Sequence, residues 1–216
     1  MIVSVSGATS RAGKTALAVS VLRALPTGAS VAVKFTTTED VFERCPRGSS
    51  CVVCDIDVPF RIVEDPKILG EAGTDTRRLG DAGALRVVWA IARASHVEAA
   101  WRAVETRIEG AGQVVMEGST IVDTARPDLL LFVLHPFLSP ERWKPTSAAL
   151  LARADAVVIN RPAAEPREPT AAVLAAVAAH RALDRPRVAD VTGSLVDWAP
   201  DLLARLQPSH QVPKTA

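Results

Sequence analysis

The stretch that decides the fold is SVSGATSRAGKTALA, residues Ser4 to Ala18. The apolar run Met1–Val5 feeds a loop bounded by Gly7 and Gly13, and Lys14-Thr15 opens an apolar-periodic helix. Strand, glycine loop, lysine and helix in that order are what a phosphate-binding loop requires. Successive backbone N–H groups and a helix N-terminus converge on one point, and a lysine adds a full positive charge there. The spacing departs from G-x-x-x-x-G-K-[ST], because Ala8 stands five residues before Gly13 and Gly7 lies one place earlier. The loop residues Gly7, Thr9, Ser10, Arg11, Ala12, Gly13, Lys14, Thr15 and Ala16 are therefore the expected nucleotide contacts. The Thr15 hydroxyl is placed to meet Mg²⁺ on the β- and γ-phosphates.

Working outward, apolar runs alternate with helical patterns. Strands are expected at Ser30–Phe35, Leu85–Ile91, Gln113–Glu117, Leu129–Leu134, Ala156–Asn160 and Arg187–Val191. Helices are expected at Lys14–Leu25, Ser95–Ile108, Pro140–Arg153, Thr170–Leu183 and Pro200–Leu206, with a glycine-interrupted one over Asp65–Gly83. Ser95 reads as the cap of its helix, with Glu98 in the capping-box position. The run LLLFVL at Leu129–Leu134 is continuous rather than alternating, as in a parallel sheet covered on both faces. The pattern predicts one doubly wound α/β domain over residues 1–206, three layers deep (α/β/α) around a mostly parallel sheet. An irregular, cysteine-containing insertion at about 37–60 and a flexible tail at 207–216 complete the expected organisation.

Composition narrows the function classes. With 216 residues, 48% of them hydrophobic, the chain can bury a sizeable core, and its net charge of +1 offers no broad basic field to nucleic acid. No apolar run approaches the ~18 residues needed to span a bilayer, and no secretory leader pattern opens the chain. A cytoplasmic protein without nucleic-acid or membrane partners is expected.

Three cysteines, Cys45, Cys51 and Cys54, are the only ones in the chain and form a C-x5-C-x2-C set. Clustered thiols in odd number argue for metal or redox chemistry over a disulfide framework. A [4Fe–4S] cluster and a Zn²⁺ site are both candidates. Three thiolates per chain under-fill a four-ligand site, so a homodimer is expected. Glu117 ends a buried strand, where a carboxylate holds Mg²⁺ or its water shell. Lys34, near the end of the second strand, can reach substrate or phosphate. Asn160 ends another strand, and its amide can read a purine edge. Asp40, Asp55 and Asp57 are further acidic candidates, and Asp75, Arg77, Arg78 and Asp81 form a charged segment that can line the same cleft. His96, His135 and His180 have no visible nucleophile or paired ligand and are expected to be structural.

These residues resemble two related families. GATSRAGKT has the spacing of the extended phosphate loop of dethiobiotin synthetase, GTDTEVGKT, and Glu117-Gly118 and Val157–Pro162 (VVINRP) are similar to that family's Mg²⁺-binding EG and adenine-reading Asn. Val31–Asp40 (VAVKFTTTED) followed by Gly73–Trp89 (GTDTRRLGDAGALRVVW) resembles the molybdopterin-guanine dinucleotide biosynthesis adaptor more closely still. The resemblance implies a Mg²⁺-dependent P-loop nucleoside triphosphatase that binds ATP or GTP and works with a partner in cofactor or metallocentre biosynthesis. It implies Mg²⁺ binding for Thr15 and Glu117 and base recognition for Asn160; from the residues themselves, Lys14, Thr15, Lys34 and Glu117 are expected to form the catalytic set. An ATP-dependent ligase acting on a small molecule, and a GTP-binding adaptor that does not hydrolyse its nucleotide, are the alternatives.

Overall fold

The computed structural model describes residues 1–38, 57–164, 166–180 and 186–206. Its framework is one eight-stranded sheet. In chain order the strands are β1 (Ile2–Gly7), β2 (Ser30–Thr37), β3 (Phe60–Val63), β4 (Arg86–Ala92), β5 (Gln113–Glu117), β6 (Leu129–Leu134), β7 (Ala156–Asn160) and β8 (Arg187–Ala189). They lie in the order β3-β4-β2-β5-β1-β6-β7-β8. Every pairing is parallel except β3 with β4, which is antiparallel.

The helices are α1 (Lys14–Ala24), α2 (Pro66–Leu69), α3 (Asp75–Asp81), α4 (Val97–Ile108), α5 (Val122–Ala125), α6 (Ser147–Arg153), α7 (Ala171–His180), α8 (Leu195–Trp198) and α9 (Pro200–Leu206). They divide between the two faces of the sheet. Leu17, Val21 and Leu22 of α1, Leu79 of α3 and Leu202 of α9 pack with Val3, Val5, Leu129, Leu131 and Val133. On the opposite face Trp101 and Val104 of α4 cover Val33, Val88 and Met116. There too Leu150 and Leu151 of α6 and Val173 of α7 cover Leu130, Phe132 and Leu134. Successive residues of β6 thus feed opposite layers, and all six are buried. That is why the strand reads as an unbroken apolar run. The fold is a three-layer, doubly wound α/β architecture.

Several local expectations are corrected. The helix expected over Pro140–Arg153 is a single 3₁₀ turn, Pro140–Arg142, followed by extended residues and then α6. Pro145 biases Lys144 away from helical conformation, and the Lys144 N–H donates to the Ala8 carbonyl instead, at 2.9 Å. Ser95 does not cap α4. It lies within a 3₁₀ turn (Ala94–His96), and its Oγ lies 3.0 Å from Nδ1 of His96. Asp65–Gly83 divides into α2 and α3 around Gly73, whose φ of 78° breaks the helix. Each piece has its own side-chain cap, Asp65 for α2 and Thr74 for α3. Strand β2 continues to Thr37, inside the segment expected to be irregular. Strand β8 stops at Ala189, because Asp190 takes up Thr192 N–H and the Ala163 N–H with its carboxylate and turns the chain.

Most of the cysteine-containing insertion, the tail at 207–216 and the end of the helix expected over Thr170–Leu183 lie outside the described residues. Among the described residues no helix is long and apolar enough to cross a membrane.

Candidate functional site

Sheet order creates the site. Strand β5 lies between β1 and β2, so Glu117 at its end has the start of α1 on one side and β2 on the other. In the parallel register Glu117 pairs with Val5 of β1 and with Lys34 of β2. Residues far apart in the chain therefore meet at the carboxyl ends of three adjacent strands, where open α/β sheets bind ligands.

The contacts are specific. The Thr15 hydroxyl donates to Oε2 of Glu117 at 2.9 Å. Nζ of Lys34 donates to Oε1 of the same carboxylate at 3.3 Å and to Oδ2 of Asp75 at 2.7 Å. Asp75 comes from the first turn of α3, held there by its Thr74 cap and by Leu79, which is fully buried against α1. Glu117 is 4% exposed, and a carboxylate so far out of water requires such partners. Burial opposes the charge of both members of the Lys34–Asp75 pair. For Lys34 the attraction of Glu117, then of Asp75, outweighs it, and for Asp75 that of Lys34 does. Lys34 is accordingly held above the ordinary lysine value and Asp75 below the usual carboxylate range.

Lys14 behaves differently. Its Nζ folds back over the loop and donates to the Thr9 carbonyl at 2.9 Å. Burial lowers its pKa, and although Glu117 opposes the shift, the positive charges of Lys144 and Lys34 reinforce it. Asp75 also opposes the shift, so the lowering comes first from burial of the ammonium, a setting that an arriving polyanion would relieve.

The β1–α1 loop is built to approach closely. At Gly7 a side-chain Cβ would come within 2.8 Å of the Val133 carbonyl oxygen and 3.0 Å of Lys14 Cγ. Gly13, immediately before α1, has φ of 109°, and a Cβ there would lie 2.6 Å from Nδ2 of Asn160. Arg11 adopts a left-handed φ of 62° although it is not glycine, a local strain of the kind found at functional loops. Ser10 and Arg11 are exposed, Ala12 and Thr9 are buried, and Ala16 is half-buried on α1. Behind the loop Ser119 Oγ stands 3.3 Å from Gly7 N and from Gly7 O, and Ser6 Oγ donates to Gly118 O at 2.8 Å.

Asn160 lies under the loop. Its Nδ2 donates to the Ala12 carbonyl at 3.3 Å and its Oδ1 accepts from Val191 N–H at 3.4 Å. Both ends of its amide are therefore engaged with backbone, tying the ends of β7 and β8 to the loop. To read a purine edge it would have to exchange these bonds.

Of the charged segment after Gly73, only Asp75 reaches the cluster. Arg77 pairs with Asp81 on the exposed helix face, and Arg78 stands 3.8 Å from Asp75. Asp57 is exposed, with its carboxylate 4.0 Å from the Arg61 guanidinium. Cys45, Cys51, Cys54, Asp40 and Asp55 lie outside the described residues. Of the histidines, His135 makes an edge-to-face contact with Phe137, centroids 4.4 Å apart, in keeping with a structural role. Sequence reasoning passed over Ser119 and the Arg142–Lys144 segment. The one available signal was the Pro-rich composition between β6 and α6, which gives no hint of what the segment packs on.

The class these observations define is a doubly wound, mostly parallel α/β protein with a lysine- and carboxylate-lined site at the strand ends. No family model matches the chain, and no curated protein matches its sequence.

Proposed function

We propose that the chain is a Mg²⁺-dependent nucleoside triphosphatase of the P-loop type, serving cofactor or metallocentre biosynthesis. The observation that carries this reading is the convergence of Lys14, Thr15, Lys34, Asp75 and Glu117 beside a glycine loop that opens α1. The donor set suits the metal, since a threonine hydroxyl and a buried carboxylate 2.9 Å apart are hard oxygen ligands. Thr15 and Glu117 would hold the ion, which when bound neutralises charge on the β- and γ-phosphates. The loop amides and Lys14 would bind the same oxygens and hold them in place as charge builds towards the transition state. Lys34 would add a second ammonium from the opposite side of Glu117, with Asp75 fixing its position.

A cysteine-bound metal beside this site remains part of the proposal on the strength of the C-x5-C-x2-C spacing. Metal analysis and an ultraviolet–visible spectrum of anaerobically purified protein test it, and a colourless, metal-free preparation would sink it. The nucleotide reading is tested by Lys14→Ala. Turnover of ATP and GTP should vanish while the melting temperature stays within a few degrees of the parent. A variant that keeps its turnover overturns the reading.

A further inference from the structure

One cleft extends beyond the proposed nucleotide contacts and shares only Thr9 and Ser10 with them. It lies beside the β1–α1 loop, is about 270 Å³ in volume, and is lined by Thr9, Ser10, Leu138, Arg142 and Lys144. Two of these five residues are cations and none is a carboxylate. Among the described residues no acidic side chain pairs with Arg142.

The wall carrying these cations is fixed to the loop. Lys144 N–H donates to the Ala8 carbonyl at 2.9 Å, and Ser147 Oγ reaches the same oxygen at 3.3 Å. Trp143 Nε1 donates to Leu138 O at 3.2 Å, which closes the segment on itself. Thr9 also lines the cleft, and its hydroxyl is buried without a hydrogen-bond partner among the described residues. A buried hydroxyl left unpaired is costly, so a ligand that accepts its proton restores that loss. Lys144 is close enough to Lys14 to depress that ammonium, which places the cleft within electrostatic reach of the loop.

We propose that this cleft is an acceptor subsite, binding the carboxylate or phosphate oxyanion of a second, small substrate next to the nucleotide. Arg142 supplies a planar donor pair suited to either anion, Lys144 a point charge, and Thr9 an oriented hydroxyl. The volume suits a small molecule rather than a second nucleotide. The inference rests on the nucleotide reading for what the acceptor lies beside, but not for the anion binding itself.

The test is calorimetric titration of the full chain, free and saturated with Mg·ADP, using inorganic phosphate and succinate as probes. At least one probe should bind the parent protein, and Arg142→Ala and Thr9→Val should each weaken it tenfold or more. Arg142→Lys should recover part of the loss, and Arg142→Ala should leave ADP affinity within about twofold. The probe that depends on Arg142 identifies the acceptor's charged group. If neither probe binds, or if binding is the same in Arg142→Ala, the subsite is wrong. Phosphate binding abolished by Lys34→Ala but untouched by Arg142→Ala would assign the anion to the terminal-phosphate position and overturn it likewise. If Mg·ADP fails to bind while the free protein still takes up a probe through Arg142, the nucleotide reading falls and the anion site stands.

Discussion

Replacing Gly13 by alanine strikes the loop where two constraints meet. The first is backbone: φ is 109°, a region L-residues enter at a cost of roughly 1–2 kcal/mol. The second is contact: the new methyl would lie 2.6 Å from Asn160 Nδ2 and 3.3 Å from Val191 Cγ2. The Asn160 amide can swing aside, but only by giving up its bonds to Ala12 O and Val191 N, each worth about 0.5–1.5 kcal/mol. The sum is about 2–5 kcal/mol, or on the order of 4–20 °C in melting temperature for a chain of this size. Gly28 supplies the control. Its φ is 73° and a Cβ there meets nothing within 4 Å, so Gly28→Ala should pay for the backbone alone. Calorimetric melts of Gly13→Ala, Gly28→Ala, Asn160→Ala and the Gly13→Ala/Asn160→Ala double variant separate the two contributions. The alanine at Gly13 should cost less in the Asn160→Ala background, because the amide it displaces is gone. Equal losses for Gly13→Ala and Gly28→Ala, or no relief in the double variant, would refute the clamp.

Two further outcomes follow from the same structure. Asp75 is held below its ordinary carboxylate value, so the unfolded chain binds more protons than the folded one as pH falls. The stability it contributes is complete above its unfolded value of ~3.9 and drains away as pH drops through the lower folded one. The stability gap between the parent and Asp75→Asn should therefore be widest near neutrality and close in acid, read from urea midpoints at stepped pH; a gap independent of pH would contradict the pairing with Lys34. Phe132, fully buried in β6, should cost about 3–5 kcal/mol when truncated to alanine, whereas Val196→Ser, at a side chain 58% exposed, should stay within about 0.5 kcal/mol.

What could be read from the chain alone were features fixed by local chemistry. The runs Gln113–Glu117, Leu129–Leu134 and Ala156–Asn160 are strands with the expected limits, because residues buried on both faces leave an unbroken apolar signature. The glycines around Gly7–Gly13 marked the loop, and a strand-terminal Glu117 and the lysine of β2, Lys34, marked the layer in which they meet. Local signals misled where another partner, near or far in the chain, took the group concerned. Lys144 N–H goes to Ala8 rather than into a helix, and Ser95 turns to His96 rather than capping α4.

Strand order was the larger unknown. Nothing in residues 30–37 or 113–117 states that β5 inserts between β1 and β2. That insertion alone brings Lys34 and Thr15 to opposite oxygens of Glu117. It was likewise tertiary packing that selected Asp75 from four similar charged residues, since Leu79 under α1 aims the first turn of α3 inward and leaves Arg77 and Asp81 to solvent. The sequence by itself determined seven of the eight strands, missing only β3, and marked the glycine loop with Glu117 and Lys34 as candidate site residues. The register of parallel strands decided which charges meet there, because parallel pairing joins residues by position in the sheet and not by distance along the chain.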